Sequence, residues 1–255
     1  MTWPRQKVNE VIALSRLGLD YCELTRMTGV PRSTVRNWLS GQIPTPEAGQ
    51  SGCFKCHPAG RGSLQLLSAA YAYLFGMYLG DGCISGHPRG VRRLRISLDR
   101  SYPVIVQECE AAMSIVVPRN KVLVTTHPTS HMDEVSAYSK HWPCLLPQHG
   151  AGRKHERRIQ LEAWQLQILD RWPWRFLRGL IHSDGCRIQN PAIHPRKTYW
   201  YPRYSFSNRS DDIRGLFAEY CEKVGVECRQ SNRWNVSVAK RDTVALMDLH
   251  IGAKR

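Results

Sequence analysis

Two Asp-Gly pairs stand 103 residues apart at the ends of related stretches, LFGMYLGDG (74–82) and LRGLIHSDG (177–185). In each, an apolar run carries small residues at a helical interval: Ala72, Gly76 and Gly80 in the first, Gly179 and Ser183 in the second. Small residues on one face let two helix backbones approach closely. A helix C-terminus disfavours an anion, so an Asp placed there needs a compensating partner. If the two small-faced helices pack on each other, Asp81 and Asp184 emerge side by side, where they repel or take up a proton. A divalent cation resolves that conflict, since Mg²⁺ takes one or two carboxylates together with phosphate oxygens and waters. Such an ion lowers the pKa of a bound water and stabilises charge on a reacting phosphodiester. One Asp-Gly alone is an ordinary helix-terminal turn. The matched pair is what points to chemistry.

The segments that must position these carboxylates are themselves repeated. RRLRISLDRSYPVIVQECEAAM (92–113) aligns with PRYSFSNRSDDIRGLFAEYCEKV (202–224), and each reads as an alternating strand followed by a Ser-started helix. Leu94, Ile96 and Leu98 point one way, with Arg93, Arg95 and Ser97 on the other side. In the second copy Tyr204 and Phe206 oppose Arg203, Ser205 and Ser207. AYSKHWPCLL (137–146) aligns with SVAKRDTVAL (237–246), which places Lys140 opposite Lys240. The pattern predicts an α+β fold built from a duplicated helix–strand–strand–helix–strand–strand–helix unit.

Charge supplies the partner class. The 255 residues carry 36 Lys+Arg against 21 Asp+Glu, a net charge of +15, which points to a polyanion and first to nucleic acid. The opening MTWPRQKVNE has no charged-then-apolar signal segment, and nine scattered cysteines suit a reducing compartment, so the expectation is cytoplasmic, nucleoid-associated in a bacterium. The longest uncharged stretch, Gly62 to Gly80, carries Ser63, Gln65, Ser68 and three glycines; it reads as a packed core helix, with no membrane partner.

Residues 1–45 read as a small all-α domain. Val8, Val11, Ile12, Leu14 and Leu17 lie at helical spacing; a short helix then ends at Gly29, with Val30 beneath the turn. Pro31 suits the entry to the next helix, and Ser33 or Thr34 can cap it. Val35, Trp38 and Leu39 form its inner stripe. Residues 21–41 resemble the bacterial helix-turn-helix, with Leu24, Gly29, Val30, Val35 and Trp38 on its core positions and Thr25 where Ala is usual. That resemblance implies that Arg32, Ser33, Thr34, Arg36 and Asn37 meet DNA. Residues 46–63 read as a linker. Within it, Cys53 and Cys56 have metal-ligand spacing with His57 adjacent, but no second Cys or His pair follows to close a tetrahedral zinc site. Free thiols are the simpler expectation there.

Together the two motif copies resemble the LAGLIDADG homing endonucleases in the two-motif monomeric form. The first copy matches at Leu74, Gly76, Asp81 and Gly82, and the second at Leu177, Gly179, Leu180, Ile181, Asp184 and Gly185. The resemblance covers roughly residues 64–255: a first repeat over 64–150, a linker over 151–170 and a second repeat over 171–255. It implies a saddle on double-stranded DNA and Mg²⁺, or another divalent cation, held by Asp81 and Asp184. Both strands would be hydrolysed across the minor groove. It also implies that Lys140 and Lys240 lie near the scissile phosphates and that Ser97 and Ser207 hold water. Arg93, Arg95, Arg203 and Ser205 would contact DNA, with the loops HPRGVRR (87–93) and HPRKTYWYPR (194–203) gripping its backbone. RKHERR (153–158) reads as a solvated linker. Two departures stand out: Leu79 and His182 replace the motif's sixth-position Asp, and a helix-turn-helix precedes the repeats. The latter keeps open a transcriptional regulator on the same scaffold without cleavage.

Overall fold

The computed structural model describes residues 5–41 and 64–254. Cys53 and Cys56 lie outside the described residues, as does the whole of the expected linker. The chain divides into two compact units, residues 1–57 and 58–255.

In the first unit three short helices, α1 (Arg5–Ser15), α2 (Tyr21–Thr28) and α3 (Arg32–Leu39), enclose Val8, Val11, Leu24, Val30, Val35 and Trp38. The start of α2 is held by a reciprocal cap. Asp20 Oδ1 accepts from the Cys22 and Glu23 amides at 2.7 and 2.8 Å, and Glu23 Oε2 accepts from the Asp20 amide at 2.8 Å. Gly29 ends α2 in the left-handed region (φ 69°), which a side chain would resist. Two expectations fail here. Leu17 is 77% exposed because α1 stops at Ser15, and Leu19 packs against the core instead. Ser33 and Thr34 do not cap α3, which starts one residue earlier behind Pro31 without a side-chain cap.

The second unit repeats one topology. Its first half runs α4 (Leu64–Asp81), β1 (Gly82–Gly86), β2 (Arg92–Asp99), α5 (Pro103–Val116), β3 (Val122–Thr126), β4 (Met132–Ser139) and α6 (Trp142–Leu145). After α7 (Ala163–Arg171) the second half runs α8 (Pro173–Asp184), β5 (Gly185–His194), β6 (Lys197–Ser207), α9 (Asp211–Lys223), β7 (Arg229–Gln230), β8 (Asn235–Val238) and α10 (Arg241–His250). Each half forms a four-stranded antiparallel sheet of equivalent order, β1-β2-β4-β3 and β5-β6-β8-β7. The fold is therefore α+β, with the duplicated αββαββα order. Alternation sends Leu94, Ile96 and Leu98, and likewise Tyr204 and Phe206, into a shared core. Only the second copy's helix is capped by its serine, Ser210; in the first copy α5 starts at Pro103 behind Tyr102 without a side-chain cap.

The halves meet where α4 crosses α8. A methyl group on Gly76 would lie 2.6 Å from the Phe176 carbonyl oxygen, and one on Gly179 would strike the Tyr73 carbonyl oxygen. The contacts are reciprocal, each glycine seated on the other helix's backbone. Replacing Gly179 with Ala therefore forces the helices apart. Urea unfolding should show about 2–3 kcal/mol of destabilisation, whereas Ala at the open position Gly215 should cost none of this.

Two segments differ from expectation. HPRKTYWYPR is mostly strand rather than loop, because Lys197 onward belongs to β6 and pairs along β5. The stretch 151–170 contains most of α7, and RKHERR is not simply solvated, since Lys154 docks on α4. No helix among the described residues is long and apolar enough to cross a membrane.

Candidate functional site

Asp81 and Asp184 are the last residues of α4 and α8, delivered to one place by the glycine crossing. Their closeness follows from packing: a methyl on Gly80 would lie 3.1 Å from Asp184 Cγ. Burial raises the Asp81 carboxyl to about 6, reinforced by the Asp184 charge. Burial also raises Asp184, opposed by an amide: Asn208 Nδ2 donates to Asp184 Oδ2 at 2.6 Å.

Two lysines close the site from positions 100 residues apart. Lys154 Nζ donates to the Tyr78 and Gly80 carbonyls at 2.5 and 2.6 Å, and Lys254 Nζ donates to the Ser183 carbonyl at 2.9 Å. Each ammonium satisfies the orphan carbonyls at the end of one motif helix, where the helix dipole favours a cation. Burial pushes Lys154 down to about 8 and also lowers Lys254, while both carboxylates pull each ammonium back toward its charged form. A cavity of about 260 Å³ opens beside this cluster, lined by Asp81, Ser97, Asp99, Tyr102, His182 and Lys254 among others.

Of the residues singled out in the sequence, Asp81, Asp184 and Ser97 are gathered here. Ser207 is exposed, and its neighbour Asn208 makes the contact with Asp184. Lys140 and Lys240 follow β4 and β8, but the ammonium groups acting on the carboxylates are those of Lys154 and Lys254. Lys240 is instead paired with Glu227, and Lys140 is exposed. His182, at the motif's sixth position, is buried 2.9 Å from the Tyr73 hydroxyl, and Glu108 close by binds Arg178 through both of its oxygens. Burial together with Arg178 and Arg175 holds this imidazole neutral, down at about 3, despite Glu108.

The outward sheet faces are unequal. On the first, Arg93 Nη2 donates to Glu134 Oε1 at 2.6 Å and to Ser136 Oγ at 3.0 Å, and Arg95 Nη1 lies 3.7 Å from Glu134 Oε2. On the second, Arg203 and Ser205 are half-buried, with Ser205 opposite Ser237 of β8. In the three-helix unit Arg32, Ser33, Arg36 and Asn37 are exposed and Thr34 is half-buried.

The donor set at the helix ends fits a hydrated divalent cation of the Mg²⁺ type. It offers two hard carboxylates and no thiolate or imidazole cage, and no cluster of three or more His, Cys, Asp or Glu exists among the described residues.

No family model matches the sequence, and no curated protein matches it. Solved structures do share its fold. Mesophilic variants of the homing endonuclease I-DmoI align with a TM-score of 0.50 at 16% identity, over 73% of this chain and 97% of that one. I-DmoI in complex with DNA and Mn aligns at 0.48 and 15% identity, over 74% and 99%. The LAGLIDADG meganuclease I-AabMI bound to uncleaved DNA aligns at 0.45 and 8% identity, over 71% and 83%. The first of these likenesses establishes the fold of the second unit as that of I-DmoI.

Proposed function

We propose that this chain binds double-stranded DNA along its two sheets and hydrolyses phosphodiester bonds between them, with both half-sites supplied by one chain. The observation that carries the reading is the meeting of two half-buried carboxylates at the ends of crossed helices, in a repeat pair whose sheets carry outward arginines. Asp81 and Asp184 hold a divalent cation, which when bound supplies Lewis acidity and a water of lowered pKa. Asn208 fixes the orientation of Asp184, and Ser97 presents a hydroxyl to the cavity beside Asp81. Lys154 and Lys254 offset the two negative charges until DNA arrives and keep both helix ends in place. Arg93, Arg95 and Arg203 contact phosphates, a source of affinity and salt dependence. The three-helix unit is a helix-turn-helix whose exposed Arg32, Ser33, Arg36 and Asn37 add a second DNA contact.

A second reading is favoured by the same lysines. Two ammonium groups against two carboxylates leave the site close to neutral without metal, which suits a DNA-binding regulator that does not cut. The deciding experiment incubates the full chain with a randomised-site plasmid pool in Mg²⁺, Mn²⁺ or EDTA. Linear product in Mg²⁺ or Mn²⁺ but not in EDTA supports the endonuclease. Enrichment of a bound site that stays intact in both metals overturns it in favour of the regulator.

Glu134 offers a further check on the sheet interface. Exchanging it for Gln frees Arg93 and Arg95 for phosphate and should tighten duplex binding several-fold while steepening its salt dependence by about one contact. Fluorescence anisotropy across a salt series reads both; an unchanged slope would remove these arginines from the interface.

A further inference from the structure

Both lysines at the motif helix ends stand outside the long helices and the strands, so each segment must be held by something else. In the first half the loop holds itself. The Arg157 guanidinium donates to the carbonyls of Gly150, Ala151 and Gly152, the last two at 3.3 and 3.0 Å, and so closes the turn that carries Lys154. The tail that carries Lys254 has no such means. Residues 251–254 read Ile-Gly-Ala-Lys, without an arginine. Gly252 takes the left-handed region (φ 74°) where α10 ends, and the Ile251 and Gly252 amides both donate to the Met247 carbonyl, at 2.8 and 3.2 Å.

The grip on this tail comes from Arg178 on α8. Its Nη1 donates at 2.5 Å to the Ile251 carbonyl, where α10 runs out of helical donors. The other edge of the same guanidinium is taken by Glu108 of α5. Nε lies 3.0 Å from both carboxylate oxygens, and Nη2 lies 2.9 Å from Oε2. A planar guanidinium held along one edge by a carboxylate aims its remaining N–H groups in a fixed direction. The two side chains are only 22% and 18% exposed, so water competes little for them. Arg175 supplies the contrast. Its Nη1 lies 2.8 Å from Glu108 Oε1 and its guanidinium 5.1 Å from the Tyr73 ring centre, so it shares the carboxylate but grips the core side of the cluster.

We infer that Arg178, aimed by Glu108, is a positioning residue: it sets Lys254 against the end of α8 and so fixes the surroundings of Asp184, a role that rests on the cleavage reading above. The path closes on one helix. Arg178 fixes Ile251; three residues later Lys254 Nζ donates to the Ser183 carbonyl at 2.9 Å, and Asp184 follows Ser183. Glu108 belongs to the first half and Arg178 to the second, so the tail is placed only where the halves are joined. Lysine is a point charge on a flexible four-carbon stem, and its ammonium stays in one place only while its backbone does. Misplacement of about 1 Å far from the reacting atoms can cost about a hundredfold in rate. A lysine at position 178 would keep a positive charge beside Glu108 but could not span carboxylate and carbonyl with one rigid fork. That substitution separates placement from charge.

The test compares the natural full chain with Arg178→Lys and Arg175→Met. Amide hydrogen exchange in EDTA comes first: the tail after Met247 should exchange about tenfold faster in Arg178→Lys and at the natural rate in Arg175→Met. Single-turnover cutting of a duplex recovered from the plasmid pool, in Mg²⁺, should then be about thirtyfold slower for Arg178→Lys. Its affinity for the same duplex in EDTA should stay within about twofold, and Arg175→Met should cut within about threefold of the natural rate. In a Lys254→Met chain, adding Arg178→Lys should slow cutting by no more than about twofold, because no ammonium is left to misplace. Unchanged exchange of the tail in Arg178→Lys, or faster exchange spread evenly over both halves, would overturn the assignment. So would the full slowing on top of Lys254→Met. A natural chain that does not cut removes the endonuclease reading, and the exchange pattern still decides by itself whether Arg178 places the tail.

Discussion

The Asp81→Asn chain is expected to lose metal-dependent DNA cleavage by on the order of a thousandfold and, at the same time, to become more stable than the natural protein. The two effects share one cause. On the proposed reading Asp81 would help hold a cation, and without one its charge, confronted by Asp184 and by burial, is a liability to the fold. Its carboxyl rises from an ordinary 3.8 to about 6, so the folded chain binds this proton more tightly than the unfolded chain does. The favourable contribution is present in full below about pH 4 and disappears as pH rises through about 6. With about 1.4 kcal/mol for each tenfold change in proton affinity, up to about 3 kcal/mol is at stake. Chemical denaturation in EDTA should show natural stability falling between about pH 4 and 6.5, with that component missing from Asp81→Asn. Millimolar Mg²⁺ with cognate duplex should reverse the order of stability. Equal stabilities of the two chains at pH 7.5 in EDTA would mean that the carboxylates are not confronted as described.

The second large effect belongs to Lys154. Exchanging it for Met keeps the aliphatic stem but removes the group that satisfies the Tyr78 and Gly80 carbonyls and offsets both Asp charges. Removing one partner of a largely buried charge cluster leaves the others uncompensated, at a typical cost of about 3 kcal/mol or more. The Lys154→Met chain should therefore unfold at markedly lower denaturant at pH 7.5. Adding Asp81→Asn to it should recover much of the loss, because the uncompensated negative charge is gone. Additive effects of the two changes would mean that Lys154 serves as a helix cap only. By contrast Lys140→Met should leave stability within about 0.5 kcal/mol, as for an ordinary surface change.

These predictions also mark where the sequence was readable. The carboxylate pair was legible because its support is local: glycines at four-residue spacing describe a close helix contact whatever surrounds them, and Asp follows at a fixed step. The strand faces were legible for the same reason, since Leu94–Ile96–Leu98 and Tyr204–Phe206 alternate. Lys154 and Lys254 were hidden because each reaches its helix end from about 70 residues downstream, and nothing in RKHERR distinguishes a docked lysine from a solvated one. Lys140 and Lys240 hold matched places after a strand, but matched place in sequence says nothing of distance, and the lysines acting on the carboxylates are others. The role of Asn208 lay one residue beyond the serine that alternation favoured. The extended β5–β6 hairpin is hard to see in the sequence because YWYP, set among prolines and basic residues, has no apolar-polar alternation where Tyr199, Trp200 and Tyr201 are all exposed.

The glycine crossing also has a consequence for how the chain is made. The seam joins residues about a hundred positions apart, so α4 cannot find its partner until α8 has been synthesised. From Ala70 to Leu79 every side chain of α4 is buried in the finished protein, on all sides. At about 5–20 residues per second the nascent first half exposes that helix for about 5–20 seconds before its twin emerges. During translation the segment that later carries the first carboxylate is an adhesive apolar surface, and a ribosome stalled between the repeats would leave it open to chaperones and to neighbouring nascent chains alike.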